Sequence, residues 1–400
     1  MNHIKYFFAA IAVLLAFTGC SDDPIVVVQK TNVVINLLDP SDAVTITEFK
    51  DVKITLTELN TQEKTEQEVT GKTITLELNQ GSYEISVGGK VMYNSDNVSE
   101  EGTVAGFVSE LNFISEEQTE DIQLSLKSFS NDFIIEEIFF TGTLTPQGAT
   151  YYGDQYFKLY NNTEETLYAD GLILAQSKFL TVDKQDYTPN VMGEAFTTVA
   201  MTQIPGTGTD YPVEPGKSIV IALDGIDHIE NNTNSVDLSG ADFEIFDENS
   251  GDVDNPSVTN MVNFYDKVVP HSRGFNSYVI ARLPEGVNQS SYLADYKYDY
   301  EWLFVFGNFQ LPQNESDYKI PNEWVIDAVN MSVESEFQWI VTDPSLDSGY
   351  TYCGKVDRDE TRYGKSVRRR VLQDINGVRL LQDTNNSAVD FIPEASLSLK

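Results

Sequence analysis

Apolar and polar residues alternate along several short runs between Val33 and about Leu126. A period of two places successive side chains on opposite faces of a strand, so this alternation predicts half-buried β-strands. Gly, Asn and Asp cluster between the runs, as turns require. The clearest runs are Val52/Ile54/Leu56, Ile74/Leu76/Leu78, Tyr83/Ile85/Val87 and Ile122/Leu124/Leu126. No stretch has a sustained helical period, so residues 33–128 are predicted to form one β-sandwich module.

Residues 133–400 are also strand-rich, but they are too many for one simple sandwich. Apolar segments alternate there with Asn-, Asp-, Gly- and Pro-rich stretches near 183–215, 225–260 and 284–296. A polar junction at 127–132 precedes this region. We therefore predict an all-β protein with two β-sandwich domains, the second enlarged by long loop insertions.

The first nineteen residues fit neither sandwich. Lys5 precedes the apolar segment Tyr6–Phe17, which is followed by Thr18, Gly19 and Cys20. These are the parts of a secretory signal peptide, and the apolar segment is too short to span a membrane.

The Gly-Cys pair resembles a bacterial lipobox, in which the cysteine is lipidated. The resemblance implies a lipoprotein signal peptide over 1–19, lipidated Cys20 and a tether over 20–32; an ordinary signal peptide is the alternative. Acidic residues after the cysteine (Asp22 and Asp23) resemble the export signal that sends Bacteroidetes lipoproteins to the cell surface, although a solvated linker has the same composition. We expect an outer-membrane lipoprotein that is exposed on the cell surface.

Net charge excludes some partners. The chain has 26 Lys and Arg against 62 Asp and Glu, a net charge of -36 at pH 7. Binding a phosphate backbone depends on Lys and Arg displacing counterions, so we expect no nucleic-acid partner. Beyond Cys20 the only cysteine is Cys353, so no internal disulfide is expected. Its strand-like surroundings predict a small buried side chain rather than a nucleophile.

Motifs for chemistry are scarce. The chain contains no HExxH, CxxC or GxSxG sequence, and beyond the predicted signal peptide its histidines are His228 and His271. Gly216-Lys217-Ser218 fails as a phosphate loop, because Tyr211 stands where a glycine is required. We therefore predict no enzymatic activity, and a secreted hydrolase on a β-scaffold, for example one acting on glycans, is the alternative.

Three segments are candidates for binding. Residues 247–255 are rich in oxygen ligands suited to Ca²⁺, but they lack the glycine and the distal Glu of an EF-hand. A calcium site and a solvated loop are both consistent with this composition; no other cofactor is predicted. The candidate calcium ligands are Asp247, Asn249, Asp252 and Asp254.

Six aromatic residues share one parity and therefore one face of a strand. They are Tyr296, Tyr298, Tyr300, Trp302, Phe304 and Phe306. Aromatics in a sandwich strand are commonly core, and the apolar Leu303 and Val305 suggest burial on both faces there. If part of the row is exposed, we expect it to be the Tyr296–Tyr300 end, so Tyr296, Tyr298, Tyr300 and Trp302 are the candidate ligand contacts.

Basic residues concentrate at 355–379. Eight of them stand there against four acids: Lys355, Arg358, Arg362, Lys365, Arg368, Arg369, Arg370 and Arg379. They could receive an anionic ligand or pair with acids inside the fold.

Several segments also resemble known families. Leu78–Val87 resembles the G-x-Y-x-I-x-V strand of carboxypeptidase-regulatory-like and Cna-B-like modules, which are mostly stalks or spacers. Strand-like motifs from 134 to 391 are similar to those of lamin-tail domains, and the resemblance implies an immunoglobulin-like sandwich over 133–400. These motifs are Ile134–Phe140, Tyr156–Asn161, Leu167–Leu172, Val213–Ile221, Trp324–Ala328, Ser366–Arg369 and Asp383–Phe391.

The whole chain resembles uncharacterised Bacteroidetes lipoproteins of about this length. The resemblance implies a surface-anchored binding or accessory module without enzymatic activity. Its partners would be the outer membrane through the lipid anchor and an outer-membrane transporter of the TonB-dependent kind, a glycan or a protein in adhesion. A purely structural stalk is a further alternative. Binding residues would lie in the inserted segments 178–212, 225–265 and 284–318.

Overall fold

The computed structural model of this chain describes residues 29–40, 44–95, 98–127, 132–163, 165–250, 252–307, 309–375 and 378–400. Strands make up most of its regular structure, and the helices are few and short. The all-β prediction is therefore confirmed. The predicted signal peptide and residues 20–28 of the predicted tether, including Cys20, lie outside the described residues. The end of the tether is wrong, because residues 30–32 belong to the first strand.

The first region, residues 29–127, is built of nine strands in its described part. They are β1 (Lys30–Leu38), β2 (Val44–Phe49), β3 (Val52–Glu58), β4 (Lys64–Val69), β5 (Thr73–Asn79), β6 (Gly81–Ser95), β7 (Val98–Phe113), β8 (Glu117–Gln123) and β9 (Ser125–Lys127). One sheet has the order β5-β1-β8, and the other has the order β4-β3-β6-β7-β9 with β2 beside β6. Ile54, Leu76, Ile85 and Ile122 meet in a shared core, so the alternating runs predicted these strands correctly.

The second region, residues 132–400, contains the remaining strands of the described chain. They are β10 (Ile134–Phe139), β11 (Thr143–Leu144), β12 (Thr150–Tyr151), β13 (Tyr156–Tyr160), β14 (Leu167–Tyr168), β15 (Leu172–Ser177), β16 (Tyr187–Thr188), β17 (Ala195–Gln203), β18 (Pro212–Val213), β19 (Ser218–Ala222), β20 (Phe243–Glu244), β21 (Thr259–Asn260), β22 (Val262–Asn263), β23 (Ser277–Arg282), β24 (Lys297–Phe306), β25 (Phe309–Pro321), β26 (Val325–Asn330), β27 (Lys365–Arg369), β28 (Val371–Ile375), β29 (Val378–Leu381) and β30 (Phe391–Ser396).

Two large sheets face each other in this region. One has the order β21-β20-β19-β13-β10-β27-β30, and the other has the order β16-β24-β25-β17-β15-β23-β26 with β22 beside β17. Ile138 and Phe157 from the first sheet pack with Leu174 and Ile280 from the second in the main core. Burial of apolar side chains between two sheets is what holds such a sandwich together.

The second of these sheets is buried on both faces. Leu172 and Leu174 point into the main core, whereas Ile173 and Ala175, one residue out of phase, lie in a second cluster on the outer face. Tyr292 of a short helix packs in that outer cluster. This double burial explains why the first four residues of β15, Leu172–Ala175, are continuously apolar rather than alternating.

Helical structure is limited to short segments. The described α-helices are α1 (Gln289–Asp295) and α2 (Ser387–Asp390), and the 3-10 turns are His228–Glu230, Asn322–Trp324 and Glu360–Arg362. Asn288 caps α1, because its side chain accepts a hydrogen bond from the Ser291 backbone amide. Among the described residues, no helix is both long and apolar enough to cross a bilayer.

The predicted loop insertions are partly wrong. Strand β17 lies within 178–212 and runs beside β15 in the sheet. The segment 284–318 contains α1, β24 and most of β25. Both segments therefore contribute strands to the sheet, although the sequence predicts them as loops.

Two turns in this region have clear local causes. Gly216 has φ +75°, the positive value that the second central position of a type II turn requires. The Asn161 side chain donates to the carbonyls of Glu165 and Val213, at 2.8 Å each, and accepts from the Thr163 amide. These bonds bend the chain after β13, as Asn side chains commonly do in turns.

Arg369 joins the two sheets through buried ion pairs. Its guanidinium lies 2.6 Å from Asp327 on β26, 3.1 Å from Asp383 and 3.7 Å from Asp390. Its side chain is 1% exposed. Burial and the neighbouring Asp383 raise the pKa of Asp327, which Arg369 opposes. Removing Arg369 alone would leave several carboxylates buried without a cation.

The two regions have separate sheets and cores in the described chain. No strand of the first region pairs with a described strand of the second. The core of the first region ends at Leu124, and the cores of the second begin at Phe133. The junction at 127–132 stays a prediction as a domain boundary, with 33–128 and 133–400 on its two sides.

Candidate functional site

A long hairpin extends from the edge of the second region. Strands β24 and β25 pair continuously from Lys297 opposite Tyr318 to Phe306 opposite Phe309. Strand β16 pairs with β24 only at Glu301 and Trp302, and β17 pairs with β25 only from Tyr318 to Pro321. Among the described residues, the part of β24 beyond Trp302 and the part of β25 before Tyr318 therefore pair only with each other.

We call residues 303–311 the hairpin tip. Phe306 is 75% exposed and Phe309 is 57% exposed, and the other large apolar side chains of the tip are between 41% and 55% exposed. Those side chains are Leu303, Phe304, Val305 and Leu311. From Trp302 to Asn314 the sequence has no charged residue. Six large apolar side chains thus face solvent on one element, which is unusual for a soluble surface.

Both faces of β24 are apolar in the tip. Phe304 and Phe306 share one face, and Leu303 and Val305 share the other. The apolar residues at the odd positions, Leu303 and Val305, predict burial of both faces. That interpretation is wrong, because no described strand pairs with the tip from outside the hairpin and all four side chains are more than 40% exposed.

The other half of the aromatic row lies in the core. Tyr300 is 2% exposed and packs against Phe179 and Tyr187. Its hydroxyl donates to Asp317 Oδ2 at 2.7 Å, so its polar end is satisfied. The expectation that the Tyr296–Tyr300 end is the exposed part is therefore wrong. Strand β16 and the segment around Phe179 cover this end of the hairpin.

Tyr296 and Tyr298 are half-buried at the hairpin base. Tyr296 ends helix α1, stacks on Tyr292 at 5.4 Å between ring centroids and packs against Trp324 at 4.7 Å. The Tyr298 hydroxyl is 2.7 Å from Thr197 Oγ1. Burial raises the pKa of Tyr298 and, with the nearby Asp317, that of Tyr300. Both phenols are therefore neutral.

Trp302 stands at the boundary between the buried base and the tip. It is half-buried against the cluster of Tyr187 and Tyr300, and its ring contacts Phe304 edge-on at 6.2 Å. Of the four predicted ligand contacts, Trp302 is thus the one that adjoins the exposed surface. Ligand binding by Tyr296, Tyr298, Tyr300 and Trp302 stays a prediction.

Charged residues surround the hairpin base. Lys178 lies 3.1 Å from Asp317 and 3.6 Å from Glu315, so it pairs with two carboxylates of β25. Asp299 and Glu301 are exposed on β24. The apolar tip is therefore set off from a charged base, which is the arrangement of an apolar contact with a polar rim.

The candidate calcium ligands do not converge. Asp252 pairs with Lys267, Asp254 accepts from the Asn260 amide, and Asp247 accepts from the backbone and side chain of Asn249. In the part of the chain that the structure describes, no group of three or more His, Cys, Asp or Glu side chains is arranged to hold a metal. The hydrogen bonds inside 247–255 fit the alternative of a solvated loop.

Cys353 and His271 lie in surroundings that indicate structural roles. Burial raises the pKa of the Cys353 thiol, which is 1% exposed, so it is held as an inert thiol rather than a thiolate. Burial and Arg273 lower the pKa of His271 to about 4, so its ring is neutral at pH 7. His271 stacks on Phe275 at 4.9 Å.

The chain is similar in sequence to one family of proteins without an established function. Residues 214–398, less than half of the chain, match the family described as "Protein of unknown function (DUF4876)". No protein of curated function matches the chain.

Two solved structures match the chain, and one of them shares its fold. A DUF4876 family protein from Bacteroides thetaiotaomicron has a TM-score of 0.58 and 23% identity, covering 92% of this chain and 98% of that one. A candidate adhesin from Bacteroides ovatus covers 72% of this chain and 82% of that one, at 9% identity. Its TM-score of 0.20 is too low to indicate a shared fold. The predicted similarity to an uncharacterised family of Bacteroidetes is therefore confirmed, and the first of these structures has the same fold as this chain.

Proposed function

We propose that this protein is a surface-anchored lipoprotein without enzymatic activity that binds a partner through the hairpin tip. The observation that carries the proposal is the set of six exposed apolar side chains in residues 303–311. Cys20 would carry the lipid anchor in the outer membrane, and the first region would act as a spacer. The partner would be a surface protein, such as an outer-membrane transporter, or a glycan.

The exposed apolar surface of the tip provides a driving force for binding. Apolar surface of this extent is unfavourable in water, and its burial against a partner releases that free energy. Each buried Phe contributes about 1.5–3 kcal/mol, so Phe304, Phe306 and Phe309 together supply enough for a specific contact. Rigid aromatic side chains at the centre of a contact commonly carry most of its binding energy.

The position of the tip also supports a contact role. Its arms continue from strands whose base is held by the Tyr187 and Tyr300 cluster. The base therefore fixes the direction of the tip. Binding then costs the tip less conformational entropy than it would cost a free loop.

A site-specific crosslinker tests the proposal in intact cells. A photoreactive phenylalanine analogue at position 306 should give one main adduct on the cell surface. The same analogue at position 229, where Ile229 is 43% exposed elsewhere on the second region, is the matched control and should not give that adduct.

A variant with a less apolar tip distinguishes a specific contact from chance proximity. With the analogue at 306, F304S and F309S together should abolish the adduct, because they remove about 3 kcal/mol or more of apolar burial. Equal adducts from positions 306 and 229, or none from 306, would contradict the proposal and favour a structural stalk.

The anchor has its own test. C20A should move the protein from membranes to the soluble fraction, since stable attachment requires acyl chains when no other anchor holds the protein. A C20A protein that still sediments with membranes would contradict the lipoprotein assignment.

A further inference from the structure

A cleft lies where the first and second regions meet, away from the hairpin. Its cavity volume is about 330 Å³. Strand β6 and the adjoining β7 approach it from the first region, and the β27–β30 edge forms the other wall. The side chains that matter here are Glu84, Phe107, Arg368, Arg370, Arg379 and Ile392.

The three arginines of the run Arg368-Arg369-Arg370 have different partners. Successive side chains on a strand point to opposite faces. Arg369 is directed into the core, where Asp327 holds it at 2.6 Å. Arg368 precedes it on β27, and Arg370 directly follows the end of the strand. Both line the cleft, which Arg369 also borders. Arg369 is therefore a buried structural residue, 1% exposed, whereas Arg368 and Arg370 are half-buried at the cavity.

Neither cleft arginine of this run has an ion-pair partner among the described residues. Arg370 Nε donates to the Val389 carbonyl at 3.0 Å, and its guanidinium lies 4.7 Å from the centre of the Phe107 ring. Arg368 Nη1 donates to the Ser396 carbonyl at 3.2 Å. Each thus retains N–H donors beyond the one that it uses.

The third arginine of the cleft shares its partner. Arg379 lies 2.7 Å from Glu136, but Lys158 lies 3.4 Å from the same carboxylate. Two cations therefore share one buried acid. Arg379 also stacks over the Tyr160 ring at 4.9 Å. Its charge is only partly compensated, which adds to the positive potential of the cleft.

Acids near the cleft do not cancel this charge. Glu84 lines the cavity, and Glu137 lies opposite Arg368 in the ladder with its carboxylate bonded to Ser366 and Ser398. Asp390 faces Arg370 but also pairs with Arg369. Burial lowers the pKa of the Arg370 guanidinium, while Glu84 and Asp390 oppose this effect. The guanidinium remains charged at pH 7 and is incompletely solvated.

We propose that this cleft binds a small organic anion, with one carboxylate, sulfate or phosphate group on Arg368 and Arg370 and an apolar body against Phe107 and Ile392. Guanidinium groups match the oxygens of such anions and form charge-assisted hydrogen bonds with them. The volume of about 330 Å³ is at the lower end of ligand pockets, which suits a body of one ring. The site is independent of the hairpin tip.

Titration calorimetry on the purified protein tests this site. The probes are benzoate, phenyl sulfate and phenyl phosphate, with phenol as the neutral control and inorganic phosphate as the control without an apolar body. At least one organic anion should bind saturably at one site, about tenfold more tightly than inorganic phosphate, while phenol should not bind.

Variants then locate the site. R370Q and R368Q should each weaken binding about tenfold, since each removes a charge-assisted contact. R358Q is the matched control, because Arg358 is exposed outside the cleft and its neighbour Asp357 is 3.7 Å away. The thermal midpoint of each variant shows whether it is folded. If one of the two arginine variants is unstable, the other still tests the site. Absence of saturable binding by all three anions, equal binding of phenol, or an equal loss in R358Q would overturn the proposal.

Discussion

Tyr300 and Phe306 have the same parity on one strand but opposite surroundings. Tyr300 is 2% exposed, and Phe306 is 75% exposed. Y300A should lower the free energy of unfolding by about 3–5 kcal/mol, since it leaves a cavity beside Phe179 and Tyr187 and removes the donor to Asp317. F306A, the matched control, should change it by less than about 0.5 kcal/mol. Urea denaturation measures both, and equal losses in the two variants would contradict this division of the strand.

The three arginines at 368–370 are likewise close in sequence but have different surroundings. Alternation along β27 predicts that Arg369 points away from Arg368, and Arg370 lies just beyond the end of the strand. The sequence does not indicate which side is buried, because Asp327, Asp383 and Asp390, which hold Arg369, come from other segments. A basic run thus divides into a structural residue and two residues that face a cleft.

The hairpin is an element with two separable parts. Its base belongs to the sheet, whereas the tip pairs only with itself among the described residues. Replacing residues 303–312 by Asn-Gly would join Trp302 directly to Gln313, its partner in the ladder, through a favoured two-residue turn.

This shortened protein should keep its fold. We expect its thermal midpoint to stay within about 4 °C of the starting protein, because the removed side chains are largely exposed. The same protein should lose the adduct expected at the tip. A midpoint that falls as far as that of Y300A would mean that the tip packs against the sheet, contrary to its exposure.

Much of the strand structure could be predicted from period two alone. Val52, Ile54 and Leu56 alternate with polar residues, and all three lie in the first core. The aromatic row of β24 has the same period, but period does not indicate where a covering strand stops. The pairing of β16 with β24 ends at Trp302, and the β16 residues lie more than one hundred positions earlier in the sequence. Exposure of the tip is set by this long-range pairing, and the charge-free stretch 302–314 was its only local signal.

At the scale of the whole molecule, two cores are joined by a polar junction. The first core contains residues from Val33 to Leu124, and the described cores of the second region begin at Phe133. Contact between the regions includes Arg370 over Phe107 at the cleft. Separate cores without a shared ladder are what two independently folding domains require.

Trypsin tests this division, because Lys127 lies in the junction. Limited digestion should cut after Lys127 early and leave two β-rich fragments that resist further cleavage. Lys127 is the last residue of the three-residue strand β9, which opens more readily than the longer ladders that hold other lysines. K127Q is the matched control, and it should remove this early cut while leaving later cleavage unchanged. Mass spectrometry of the fragments identifies the site, and circular dichroism of each fragment reports whether it is still folded. If the first cut lies inside either region, or if one fragment is degraded as soon as it is released, the two regions fold as one cooperative unit. The contact at the cleft between Arg370 and Phe107 would then be part of what holds that unit together.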